Sequence, residues 1–280
     1  MKIDTRGLSP YEHKQRTMAA FDLASEGYDC PQLSFFSDSA AYLLKKMRLK
    51  NDERLLDVAT GTGHVAIAAA RLLTSGFVTG IDLSEKMLLQ AAKKADAMDL
   101  RNVNFKRADI EDMDFGKNTF DAASCAFGLF FLPDMGNGLK CVSRVLKPGG
   151  KFAMTSFKPS LWMPLRGMLL DRLRGYGIEP PGWSWTRLDS PVKIEQLLRE
   201  GGYRDIDIEE KQMGYYLKDK NEYWDVLWNS GHRGQLSRLS ETDLKKFKEE
   251  HLLEVEGTAD DKGIWLEVEV LFATTKKMLA

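Results

Sequence analysis

The run Arg54-Leu-Leu-Asp57-Val-Ala-Thr-Gly61-Thr-Gly63-His64 constrains the fold of this chain more than any other stretch. Leu55, Leu56 and Val58 read as a short buried strand, which ends beside an acidic residue and passes into a glycine-rich turn. The glycines permit a sharp turn and a close approach of backbone to ligand, and the helix that follows points its first amides toward the same place. Strand, glycine turn and helix in this order make a nucleotide-binding corner. Gly61-Thr-Gly63-His-Val-Ala66 also fits the GxGxxA dinucleotide pattern, so the motif alone leaves open which nucleotide it serves.

Three features around it narrow the choice. Asp57 stands four residues before Gly61, where a site for a negative pyrophosphate would avoid a carboxylate. An acid there wants a cation, and the ammonium of an amino-acid moiety, as in S-adenosylmethionine, supplies one through a charge-assisted hydrogen bond. Next, the apolar run Phe77-Val-Thr-Gly-Ile81 ends in Asp82, about 20 residues beyond the glycines, where a ribose-binding acid belongs. Its plainer alternative is an aspartate that caps the helix beginning near Ser84. Third, the alternating segment Val103-Asn-Phe-Lys-Arg-Ala breaks at Asp109-Ile110. Taken singly, Asp109 reads better as an exposed loop residue than as an acceptor for an adenine amino group with Ile110 against the ring. It gains weight because Asp57, Asp82 and Asp109 follow three successive strands, and the carboxyl ends of parallel strands face one crevice.

With Phe120-Asp121, Ala126-Phe-Gly-Leu129 and Val145-Leu-Lys-Pro148-Gly-Gly150 added, residues 21–157 resemble a class I S-adenosylmethionine-dependent methyltransferase. Within that class the chain is most similar to the ubiquinone/menaquinone biosynthesis C-methyltransferases and their small-molecule relatives. The resemblance implies an α/β fold, a Rossmann-like and mostly parallel sheet with an antiparallel last strand and helices on both faces. It implies S-adenosylmethionine as cofactor and S-adenosylhomocysteine as product. Asp57, Gly61 and Gly63 would surround the methionine part, Asp82 and Leu83 the ribose, and Asp109 and Ile110 the adenine. Cys125, Ala126 and Phe127 would line the methyl-transfer side, and the implied cofactor set takes in Tyr28, Ala59, Thr60 and Met87 as well. In the family a segment of the form Phe21-Asp … Tyr28-Asp folds over the cofactor. The other reading of those two rings is that they pin an N-terminal helix to the core. His64 departs from the family pattern and is expected to be the first helical residue, pointing to solvent. With Asp134 and a residue of the cap it is a candidate base, none of the three having motif support.

Composition agrees with this reading. A net charge of -1 is not the basic balance of a nucleic-acid enzyme, and Lys45-Lys-Met-Arg-Leu-Lys50 reads as a solvated helix face. Cys30, Cys125 and Cys141 form no CxxC pair, and His13, His64, His232 and His251 have no zinc spacing. No run approaches the roughly 20 apolar residues of a membrane helix, and no signal-peptide core is visible, so the expectation is a cytoplasmic protein without a metal.

Along the chain, residues 1–50 give two helices, 51–158 the alternating strands and helices of the cofactor core, 159–190 an inserted cap, and 191–280 the end of the sheet with extra helices. In the cap, Trp162, Trp183 and Trp185 fall among prolines and glycines. With Phe157 they are expected to contact substrate in a lid that excludes water. Two helices are expected within 219–254, completing the lid or forming a homodimer face, and one alternating strand near 263–274. The function expected is methylation of a small, aromatic or partly apolar metabolite. The alternatives are an RNA or protein methyltransferase, or a non-catalytic cofactor-binding subunit.

Overall fold

A computed structural model describes residues 8–179 and 184–279. Helices α1 (Pro10–Ala24) and α2 (Phe35–Met47) precede the sheet. The central part then runs β1 (Arg54–Val58), α3 (His64–Leu72), β2 (Phe77–Asp82), α4 (Glu85–Ala97), β3 (Val103–Arg107), β4 (Phe120–Ala126), α5 (Met135–Val145) and β5 (Leu146–Phe157). After it come α6 (Leu165–Gly175), α7 (Pro191–Glu200), β6 (Tyr203–Gln212), β7 (Tyr215–Leu217) and α8 (Lys220–Trp228). The described chain closes with α9 (Arg233–Leu236), α10 (Glu241–Glu256), β8 (Ile264–Leu266) and β9 (Glu269–Lys277).

The main sheet has the order β3-β2-β1-β4-β5-β9-β6. Its first five strands are parallel, and β9 runs antiparallel between β5 and β6. Because crossovers between parallel strands are right-handed, the helices of the outward leg β1 to β3 lie on one face and α5, after the chain returns to β4, on the other. The order reverses between β1 and β4, and a crevice opens there at the carboxyl ends. Asp57 sits at that point, in register with Gly80 on one side and Ser124 on the other.

Several helices start on a side chain that satisfies free amides of the first turn. Ser9 and Glu12 form a capping box on α1, Ser84 caps α4, Ser190 caps α7 and Ser240 caps α10. Asp134, a sequence candidate for a base, is spent the same way: its carboxylate accepts from Asn137 N at 3.0 Å at the start of α5. Asp121 likewise serves the frame, accepting from Arg54 N and Lys147.

The helix of the cap region is packed firmly against the rest of the protein. Helix α6 buries Leu165, Leu169 and Leu173, each contributing about 1.5 to 3 kcal/mol, and Arg172 ties it to Glu250 and Glu254 of α10. Two sequence expectations are corrected beyond it. The last strand is two: β8 pairs with β7 in a small second sheet, while β9 enters the main one. Between them, Glu267 turns its carbonyl to Trp162 N at 2.7 Å and Val268 N donates to the Gln212 side chain at 3.2 Å, so both leave the ladder. The 219–254 stretch holds three helices, because the short α9 intervenes.

Candidate active site

Most of the expected cofactor residues line one cleft at the switch point. From the N-terminal segment comes Tyr28, and from the turn after β1 come Asp57, Ala59, Thr60 and Gly61. The end of β2 and the start of α4 give Asp82, Leu83 and Met87, the turn after β3 gives Asp109 and Ile110, and the end of β4 gives Ala126 and Phe127. Gly63 and Cys125 do not reach this lining. Gly63 caps α3 at φ 85°, and a Cβ there would stand 3.0 Å from the Ala91 Cβ, so its role is close packing of α3 on α4. Cys125 is fully buried, because successive strand residues face opposite sides of the sheet, and burial pushes its thiol well above the usual range.

The carboxylates are held by their own turns. Asp57, 1% exposed, accepts from Thr60 Oγ1 at 2.6 Å and Ser124 Oγ at 2.7 Å. Burial raises it to about 6, although both hydroxyls favour the charged form. Asp82 accepts from Gly61 N and Ser84 N, each at 2.9 Å, and thereby ties the glycine turn to the end of β2. Burial raises Asp82 too, against the pull of those amides.

The N-terminal segment straps across the cleft through polar contacts. Lys14 of α1 pairs with Asp109 and Glu111, both at 2.6 Å. Asp22 accepts from the Ser84 hydroxyl. Asp29 holds Thr62 Oγ1 at 2.6 Å, Lys94 at 2.7 Å and His64 Nε2 at 2.9 Å. Burial would raise Asp29, but His64, Lys94 and Thr62 outweigh it and hold the carboxyl far below its usual range. His64 is thus not the solvent-facing residue expected: it lines the cleft, bound to Asp29 and stacked on Phe36 at 6.2 Å. Asp22 and Asp29 lay inside the Phe21–Asp29 motif without a role assigned, and nothing in the sequence pointed to Lys14.

Beyond the cleft lies a larger chamber of about 610 Å³, within the range of small-molecule sites. Of the residues expected to contact substrate, Phe157, Trp162 and Trp185 line it, and Trp183 lies outside the described residues. His232, Gln235 and Arg238 complete the wall from the α9 region, which gives part of the 219–254 stretch a place beside the site. Cleft and chamber share Thr17, Phe21, Tyr28, Phe36, Phe127 and Phe131, so an aromatic neck joins them. In it Tyr28 stacks on Phe36 at 4.8 Å, Phe36 meets Phe127 edge-on at 5.5 Å, and Phe21 meets Phe131 edge-on at 5.3 Å. Ala59, Phe127 and Trp162, all on these walls, hold left-handed φ values of 54 to 56°. Such strain gathers where the surroundings fix a site's geometry.

Residues 55–150 match a family of methyltransferase domains. The chain is 37% identical over 152 residues, 52% of its length and 65% of the relative's, to a ubiquinone/menaquinone biosynthesis C-methyltransferase UbiE from Geotalea daltonii. It is 30% identical over 190 residues, 61% of its length and 80% of the relative's, to a demethylmenaquinone methyltransferase from Geobacillus kaustophilus. Several curated relatives are matched over only about half to two thirds of their length. Among solved structures the YcgJ protein of Bacillus subtilis shares the fold, with a TM-score of 0.60 and 19% identity over 87% of this chain and 99% of that one.

Proposed function

This chain belongs to the class I S-adenosylmethionine-dependent methyltransferase family that includes the ubiquinone/menaquinone C-methyltransferases, and from that premise we propose that it methylates a small, quinone-like or otherwise planar and partly apolar metabolite. The observation that carries the proposal is the aromatic neck between a nucleotide cleft and an apolar chamber. The residues fit the cofactor: a Cβ built on Gly61 meets nothing within 4 Å, so the turn leaves open space beside it, and Asp57 and Asp82 stand on the wall of the same cleft. When bound, the cofactor supplies an activated methyl group that a nucleophile displaces in line. Asp57 would hold the ammonium, Asp82 the ribose hydroxyls and Asp109 with Ile110 the adenine. The rings of the neck favour a positive centre by about 0.5 to 2 kcal/mol each and exclude water. Phe157, Trp162 and Trp185 would hold the acceptor plane within reach, the main task of a protein whose reagent is already activated. Burial pushes His13 down and His232 to about 3, so both imidazoles on the chamber wall are neutral at pH 7. Neither His64 nor Asp134 lies on that wall.

With methyl-labelled S-adenosylmethionine and a panel of reduced naphthoquinones, phenols and bulk RNA, label is expected in an aromatic product. Label confined to RNA would overturn the proposal. A pH dependence follows from Asp57. Burial lifts its pKa from the ordinary 3.8 of an aspartate to about 6, so between those values the free protein holds a proton that a bound ammonium must displace. Affinity for S-adenosylhomocysteine should rise with pH up to about 6 and then level, with a limiting slope of about tenfold per pH unit. Asp57→Asn should flatten the curve; a flat wild-type titration from pH 4.5 to 7 would remove the ammonium from Asp57.

A further inference from the structure

The chamber wall carries more positive charge than its apolar character calls for. Arg16, Arg166 and Arg238 line it against a single described carboxylate, Glu179. Arg16 and Arg238 are exposed, whereas Arg166 is half-buried. Its guanidinium lies over the Trp185 ring at 4.8 Å, and Nη2 donates to the Pro159 carbonyl at 2.8 Å. Nη1 is buried without an acceptor among the described residues. Burial alone shifts the group, downward, and no acid offsets it. One turn away Trp162, 4% exposed and also on the chamber wall, has an indole Nε1–H that is likewise buried and unpartnered. The two side chains are placed by one helical turn, since Arg166 N donates to the Trp162 carbonyl at 2.7 Å.

A buried guanidinium with a free N–H is costly unless something accepts from it. Its planar fork suits a carboxylate, which would take the Arg166 hydrogen bond and accept a second from the indole. Trp185 and Phe157 supply flat apolar surface in the same space. Resting on the methyltransferase reading above, we propose that the acceptor is an aromatic or conjugated acid whose carboxylate is bound by Arg166 and Trp162 Nε1. The anion sets which planar compounds enter, and the rings alone do not.

The test uses the full chain saturated with S-adenosylhomocysteine and a panel of aromatic acids, each paired with its primary amide, beginning with 1-hydroxy-2-naphthoate and 1-hydroxy-2-naphthamide. Calorimetric or fluorescence titration should show the acids binding at least tenfold more tightly than their amides. Arg166→Met should abolish that preference and Arg166→Lys should leave part of it, because lysine keeps the charge and loses the fork. Both variants should keep wild-type affinity for S-adenosylhomocysteine, since Arg166 is absent from the cofactor cleft, and this checks that they fold. Equal binding of acid and amide, no binding by any acid in the panel, or a preference that survives Arg166→Met would each overturn the inference and leave the cofactor assignment standing. Failure of the wild-type protein to bind S-adenosylhomocysteine would overturn both.

Discussion

Asp82→Ala should weaken the binding of S-adenosylhomocysteine by about 2 to 4 kcal/mol, roughly 30- to 1,000-fold. The proposed ribose contact accounts for only part of this. The carboxylate also accepts from Gly61 N and Ser84 N, so its removal untethers the glycine turn from the end of β2. The same change frees the start of α4, where Ser84 caps the helix and meets Asp22 of the N-terminal strap. Asp82→Asn, which keeps one acceptor oxygen, should fall between. Titration calorimetry on each variant, with circular dichroism to verify the fold, measures the effect, and an unchanged dissociation constant for Asp82→Ala would withdraw the ribose assignment.

Gly61→Val should abolish measurable binding, a loss of more than about 100-fold. Gly61 holds φ 54°, where a non-glycine residue costs about 1 to 2 kcal/mol and a β-branched one more. Its missing side chain leaves open space rather than a packed neighbour, so the valine would stand where ligand is expected and not in the core. Stability should therefore drop modestly while binding disappears. Gly61→Ala separates the two effects, retaining the backbone strain with little of the obstruction. Binding of Gly61→Val within threefold of the wild type would mean that the ligand does not approach this turn.

The order of strands and helices through β5 was legible because each signal is local. Apolar runs mark the strands, glycines mark the turn after β1, and Lys147-Pro148-Gly149 breaks the α5 pattern. The acidic residues were legible through their spacing, since a parallel sheet brings residues that follow successive strands to one edge. His64 was misread because its direction depends on Asp29, 35 residues earlier, and no local pattern couples the two. Lys14 was missed for the same reason, as its partners Asp109 and Glu111 lie across the cleft. The alternation of Ile264–Thr274 suggested one strand; what divides it is a pair of contacts from Trp162 and Gln212, remote in sequence. The chamber depends on still longer-range packing, with walls drawn from α1, β5, the cap and α9.

The measurement that bears most directly on the account is incubation of the protein with methyl-labelled S-adenosylmethionine and a cell extract, followed by partition of label among small-molecule, RNA and protein fractions, with Asp82→Ala run in parallel. Label in the small-molecule fraction that is lost in the variant is the predicted result. Label in RNA or protein alone, or small-molecule label that Asp82→Ala leaves undiminished, would contradict it.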